Sequence, residues 1–186
     1  HANEEMGLVI GSRNSHDKTF VAGLAAGDGV FACDNLSFWS EVVLGRVHTT
    51  HIVRDLPGIC NKAVGMLAEK WTSMEQRVVA YKQHALADAQ AHDFIIRAVD
   101  AGAITTTAIP TVLKEWRTPS HPEFIADGRT AWTLRNAFTE SYKEIENPVI
   151  LTRRSQIMGG MLDAACGLIR KDKPVVDIET EVAIAN

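Results

Sequence analysis

Over the first fifty residues, apolar and polar positions alternate with a period of two. Leu8 and Ile10 alternate in a short run that ends at Gly11-Ser12. Phe20, Ala22, Leu24 and Ala26 then alternate with Val21, Gly23 and Ala25, and Gly27-Asp28-Gly29 supplies a turn. Asp-Gly at a hairpin tip suits the positive φ angles of a tight turn, so strands near 20–26 and 30–35 are expected to run back on one another. Glu41–His48, rich in β-branched residues, is a further strand candidate. From about His51 the period changes to roughly 3.6. Ile52, Leu56, Ile59, Ala63, Met66, Leu67, Met74 and Val78 recur at helical spacing as far as about Ala85. Pro57 sits near the start, so Asp55 is expected to cap a helix beginning at Leu56. Gly58 and Gly65 each weaken that helix by ~1 kcal/mol relative to Ala, so tertiary packing must hold it.

Four further helices are expected. Asp88 to Ala101 has Asp88 as N-cap, an apolar face of Phe94, Ile95, Ala98 and Val99, and Gly102 as its stop. Pro110 to Trp116 is short, and Arg117–Asp127, with Pro119 and Pro122, reads as a loop. Gly128–Ile145 and Thr152–Ile169 complete the set. The expected class is α+β: an N-terminal antiparallel sheet of three to four strands with a hairpin, followed by a long helix packed on one face and three to four shorter helices in a second layer. Residues 1–186 read as a single domain, with 6–50 mostly β, 51–170 mostly α and 171–186 an acidic tail. The start at His1 rather than Met suggests a truncated N-terminus.

Composition narrows the function classes. A net charge of −4 argues against nucleic-acid binding through sheer positive charge, though not against a local basic groove. Cys33, Cys60 and Cys166 lack zinc-type spacing and read as reduced thiols of a cytoplasmic protein. No stretch approaches the ~20 apolar residues that span a bilayer, so no membrane partner is expected.

Candidate chemistry gathers in two strings, Arg13-Asn14-Ser15-His16-Asp17-Lys18 and Cys33-Asp34-Asn35. The expected hairpin would bring Asn14, Ser15, His16 and Asp17 to the same sheet end as Cys33, Asp34 and Asn35. His16, Asp17, Asp34 and His48 are acceptable metal ligands, and Cys33 beside them could join a Cys–His pair. No recognised ligand spacing is reproduced, however, and His48 and His51 stand three apart rather than at the helical i,i+4 of a zinc protease. Turn and cap bonding to nearby backbone is the commoner use of such Asn, Asp and Ser residues. Arg13, Lys18, Arg46, His48, His51 and Arg54 form the densest basic set, with Phe20, Phe38 and Trp39 as stacking faces for single strands or as core. Arg129, Trp132, Arg135, Asn136 and Glu140 share one helix face, read as solvated, with a buried network docking the helix on the sheet as the alternative. His92 and Asp93 read as cap-proximal polar residues. Arg153-Arg154, at the start of the last helix, would oppose its dipole, which suggests a partner.

Several uncommon strings resemble a known family. They are Arg13 to Lys18, Val30-Phe31-Ala32-Cys33-Asp34-Asn35-Leu36, Asp88-Ala89-Gln90-Ala91-His92-Asp93, His121-Pro122-Glu123-Phe124, Gly128-Arg129-Thr130-Ala131-Trp132 and Asn136-Ala137-Phe138-Thr139-Glu140. In this order, from about residue 6 to 165, they resemble the phage/plasmid-like family known as domain of unknown function number 932. The resemblance implies a cytoplasmic protein of bacterial mobile elements and carries over no catalytic residue; the cofactor is left unknown. The expected function is a non-enzymatic accessory role with DNA, binding or annealing single strands in replication or recombination. Arg13, Asn14, His16, Lys18, Arg46, His48 and Arg54 would be its contacts. The order of sheet then long helix, shared with single-strand annealing proteins, adds a fold-level analogy. The alternatives are an enzyme using His16, Asp17, Cys33, Asp34 and His48, and a module that binds a phage or host protein to block a defence factor. An oligomer is compatible with each.

Overall fold

The computed structural model describes residues 6–13, 22–30, 35–37, 42–46 and 52–168, with only the backbone described over the strands and at several positions of the first helix. Extended segments β1 (Met6–Arg13), β2 (Ala22–Val30), β3 (Asn35–Ser37) and β4 (Val42–Arg46) precede six helices. These are α1 (Ile52–Gln83), α2 (Asp88–Asp100), α3 (Ile109–Arg117), α4 (Pro122–Ala126), α5 (Ala131–Tyr142) and α6 (Pro148–Ala165). A 3-10 turn, Thr106–Ala108, leads into α3.

The expected α+β class, founded on an N-terminal sheet, is corrected to a helical fold. Wherever side chains are described, the chain is helix or helix connection, and the hydrophobic core among the described residues draws on positions 74–168 alone. The extended segments do align antiparallel, β1 and β4 against β2 and β3 against its last three residues. Their composition offers little to a core. Three glycines and three alanines fill six of the nine β2 positions, leaving little apolar side chain to remove from water.

The hairpin at Gly27-Asp28-Gly29 is likewise corrected. Gly27, Asp28 and Gly29 lie inside β2, opposite Val9, Leu8 and Gly7 of β1. Turn chemistry is a local preference; the eight-residue register with β1 recruits the same residues into an extended run.

The helices pack on one another around α5. Phe94 of α2 meets Phe138 of α5 edge-on, ring centroids 5.8 Å apart, and α5 also touches α1, α3, α4 and α6. From Ala131 to Thr139 every residue of α5 is buried. A helix surrounded in this way must satisfy its own polar side chains, and this one does so largely by bonding backwards. Asn136 donates to the Trp132 carbonyl at 3.0 Å, Thr139 to Asn136 at 3.0 Å and Ser141 to Phe138 at 2.7 Å. Thr133 reaches the Gly128 carbonyl at 2.6 Å.

Helix ends follow the sequence with local corrections. Thr130 caps α5 through the Thr133 N–H. The Gln90 side chain accepts from the Ala87 N–H at 2.9 Å, so α2 is preceded by Ala87 rather than capped by Asp88. Gly102, at φ 77°, closes α2 with paired bonds from Gly102 N–H to Val99 and from Ala103 N–H to Ala98. The last helix begins at Pro148, not Thr152, because the Asn147 carboxamide accepts from the Val149 and Ile150 N–H groups. Arg153 and Arg154 therefore lie in its second turn, away from the N-terminal end of the dipole. α1 starts at Ile52, so Pro57 stands inside it and Asp55 is not its cap. The stretch expected as loop, Arg117–Asp127, contains α4.

Gly102→Ala should destabilise the protein by about 1–2 kcal/mol, because a Cβ is strained at that φ. Asn147→Ala should cost about 1 kcal/mol through the lost cap. Urea unfolding of the two variants measures both.

Candidate functional site

The C-terminal half of α1 lays Met74 and Tyr81 on one buried face, seven residues apart, with Arg77 one turn before Tyr81. On α6, Met158, Leu162 and Asp163 are buried. These faces meet in a charged network. The Tyr81 hydroxyl donates to Asp163 Oδ1 at 2.6 Å and lies 3.4 Å from the Gly159 carbonyl. Arg77 Nε sits 3.0 Å from the same carboxylate oxygen. Arg135 of α5 is fully buried, and its positive charge also bears on Tyr81. Its guanidinium lies 4.8 Å from the Trp132 ring centroid, and Lys82 Nζ lies 5.5 Å from that centroid while pairing with Asp127 at 3.4 Å.

The protonation states follow from these surroundings. Burial, then the Asp163 charge and its hydrogen bond, hold the Tyr81 phenol well above its ordinary range. Burial does the same to Tyr142, whose hydroxyl donates to the Ala103 carbonyl at 3.0 Å. Burial, reinforced by Asp163, pushes the Cys166 thiol up to about 11. Burial opposes the charge of Glu115, but the Ser120 hydroxyl at 2.7 Å and N–H at 2.8 Å, with Lys114, outweigh it and hold the carboxyl below its usual value. Chemically, the network is a charged clasp joining α1, α5 and α6.

A second charged contact ties the start of α2 to the approach to α5. Trp116 Nε1 donates to Asp88 at 2.9 Å, and Arg129 lies 4.9 Å from the Trp116 ring centroid while donating to the Arg117 carbonyl at 3.2 Å. Among the described residues, no group of three or more His, Cys, Asp or Glu side chains could hold a metal ion. No described helix is long and apolar enough to cross a membrane.

The expected site residues divide by position on the ladder. Arg13 stands opposite Gly23, and Arg46 opposite Ala22, so both flank the same end of β2 from its two edges. Their backbones are roughly 10 Å apart at strand spacing. Arg54 follows in the first turn of α1 and is exposed. Asn14, Ser15, His16, Asp17 and Lys18 belong to the segment joining Arg13 to Ala22, and His48 to the one joining Arg46 to Ile52. These six lie outside the described residues, as do Cys33 and Asp34. Asn35 stands opposite Val30, at the other end of β2, roughly 23 Å along the strand from Gly23. Whether residues 14–17 share an end with Cys33 and Asp34 lies outside the described residues.

The stripe expected to be solvated is mostly buried, with Trp132, Arg135 and Asn136 inside and Glu140 half-buried. His92 is half-buried, and Asp93 pairs with Arg97 at 2.9 Å. Sequence reasoning missed Arg77, Tyr81 and Asp163. The available signal was Asp163 as the lone charge in the run Gly159–Ala165, with Arg77 and Tyr81 at i,i+4 on a mainly apolar helix face.

Asp163→Asn should cost about 3 kcal/mol, since it strips a buried carboxylate from Arg77 and Tyr81. Tyr81→Phe should cost about 1.5–3 kcal/mol. The phenol is raised in the folded state, so its contribution is present below pH ~10 and lost as pH rises beyond it. Urea unfolding from pH 8 to 11 should therefore show a shallower alkaline loss for Tyr81→Phe than for the parent. With Cys33 and Cys60 replaced by Ser, alkylation of Cys166 at pH 8.5 should run on the order of a hundredfold slower than that of free cysteine.

Compared with known proteins, residues 3–171 match the family model described as Domain of unknown function (DUF932). Neither a curated protein nor a solved structure matches the chain.

Proposed function

We propose, for a chain that belongs to this family of unknown function, a non-enzymatic, DNA-associated role: binding or annealing single strands in the replication or recombination of a phage or plasmid. One observation carries the reading. The ladder register brings Arg13 and Arg46 to one end of β2, and the segments bearing Asn14, His16, Lys18 and His48 leave from that same end. Arg54 is exposed in the first turn of α1. Two arginines at one strand end, with Lys18 close to Arg13 in sequence, give the density of positive charge that the proposal needs on a chain whose net charge is −4. Contacts of this kind recognise phosphates and release counterions.

The rival enzyme needs His16 and Asp17 beside Cys33 and Asp34, and these four lie outside the described residues. A cytoplasmic setting fits the proposed role, and a phage or host protein could act alongside DNA.

Fluorescence anisotropy with labelled single- and double-stranded DNA across a salt series tests the proposal. Binding tighter to single strands, with a steep salt slope, is expected. Arg46→Ala with Arg54→Ala should lower affinity uniformly across sequences and flatten that slope by about 2. No binding at low salt would refute the role.

A further inference from the structure

Along α1, Arg54, Gly58, Asn61, Gly65, Glu69, Thr72 and Gln76 follow at steps of three and four, and every one is exposed. They form one continuous stripe opposite the face that buries Met74 and Tyr81. Two glycines in this stripe each cost the helix about 1 kcal/mol relative to Ala. No special backbone conformation requires them, and a Cβ at either would meet nothing among the described residues. What they permit is close approach from outside.

The charges on the stripe and its flank are ordered. Lys62 lies three residues before Gly65 and Glu69 four after it; both are exposed, on the same side of the stripe. About 10 Å of helix rise separates them, so they do not pair with each other within one helix. Neither makes an ion pair among the described residues. Rotation by 180° about an axis through Gly65 reverses the helix and sets Lys62 of one copy beside Glu69 of the other, twice. It also sets Gly65 against Gly65 and Gly58 against Thr72. A parallel two-fold pairing would instead put the Lys62 and Glu69 of the two copies on opposite flanks, where neither pair forms.

We propose that this stripe is the interface between two copies of the chain, whose α1 helices cross antiparallel at Gly65. The contact is isologous: one patch is complementary to itself, which closes the assembly at two. Absence of a side chain at the crossing brings the helices close enough for the two Lys62–Glu69 pairs to form on its flank.

Sedimentation velocity on the full chain from about 1 to 100 μM tests the inference. A monomer–dimer equilibrium is expected. Lys62→Glu and Glu69→Lys singly should each weaken it on the order of tenfold, and the double exchange should return it to within about threefold of the parent. Gly65→Leu should also abolish the dimer while circular dichroism reports intact helix. A monomer at every concentration overturns the proposal, as does a double exchange no better than the singles. A change in DNA affinity on Lys62→Glu with no dimer in the parent would assign the stripe to a polyanion instead.

Discussion

The fold depends on a helix buried on nearly all sides. Such a helix is stable only if its polar groups find partners without water, because an unsatisfied buried donor costs about as much as a good apolar side chain contributes. α5 meets most of the constraint by economy of reach: Asn136, Thr139 and Ser141 bond to carbonyls within their own helix, while the Trp132 indole N–H goes without a hydrogen bond among the described residues and faces the cations of Arg135 and Lys82 across its ring. The surrounding helices are then free to present apolar faces, and Trp116, Phe94, Leu134 and Phe138 join one cluster.

Arg135 cannot be satisfied in that local way. Its guanidinium lies over Trp132, and its charge is felt at Tyr81, beside Asp163 and Arg77. Charge inside a helical core specifies an arrangement more than it adds stability, since apolar substitutes of the same shape often do as well. Here three helices contribute to one clasp, so their relative rotation and register are tied to one another. The clasp and the backward-bonding helix are two solutions to the same desolvation problem, one long-range and one local.

Much of the helical part was legible in the sequence. Periodicity located α1, α2, α3, α5 and α6, and Gly102 marked the end of α2. The failures are instructive. Asn147-Pro148 is a strong start signal, yet the apolar run after Thr152 drew attention past it. The α5 stripe read as solvated because Arg135 and Asn136 are polar, and sequence does not reveal that Asn136 bonds the turn behind it. Asp-Gly at 28–29 is a good turn signal that lost to an eight-residue partner strand. At the candidate site the residue types were legible but their neighbours were not, since that depends on which strand ends coincide.

α1 is 32 residues long, about 48 Å of helix, and its charged clasp is near one end. From Tyr81 to Arg54 is 27 residues, roughly 40 Å along the axis. For a rigid helix that distance is a lever arm. A tilt of only about 5° at the clasp would carry Arg54 through ~3.5 Å, the rise of roughly one strand residue. Sub-ångström adjustments around Asp163 would thus be magnified at the far end of the molecule, and the precision with which the clasp is set becomes the precision with which the distal arginine is aimed.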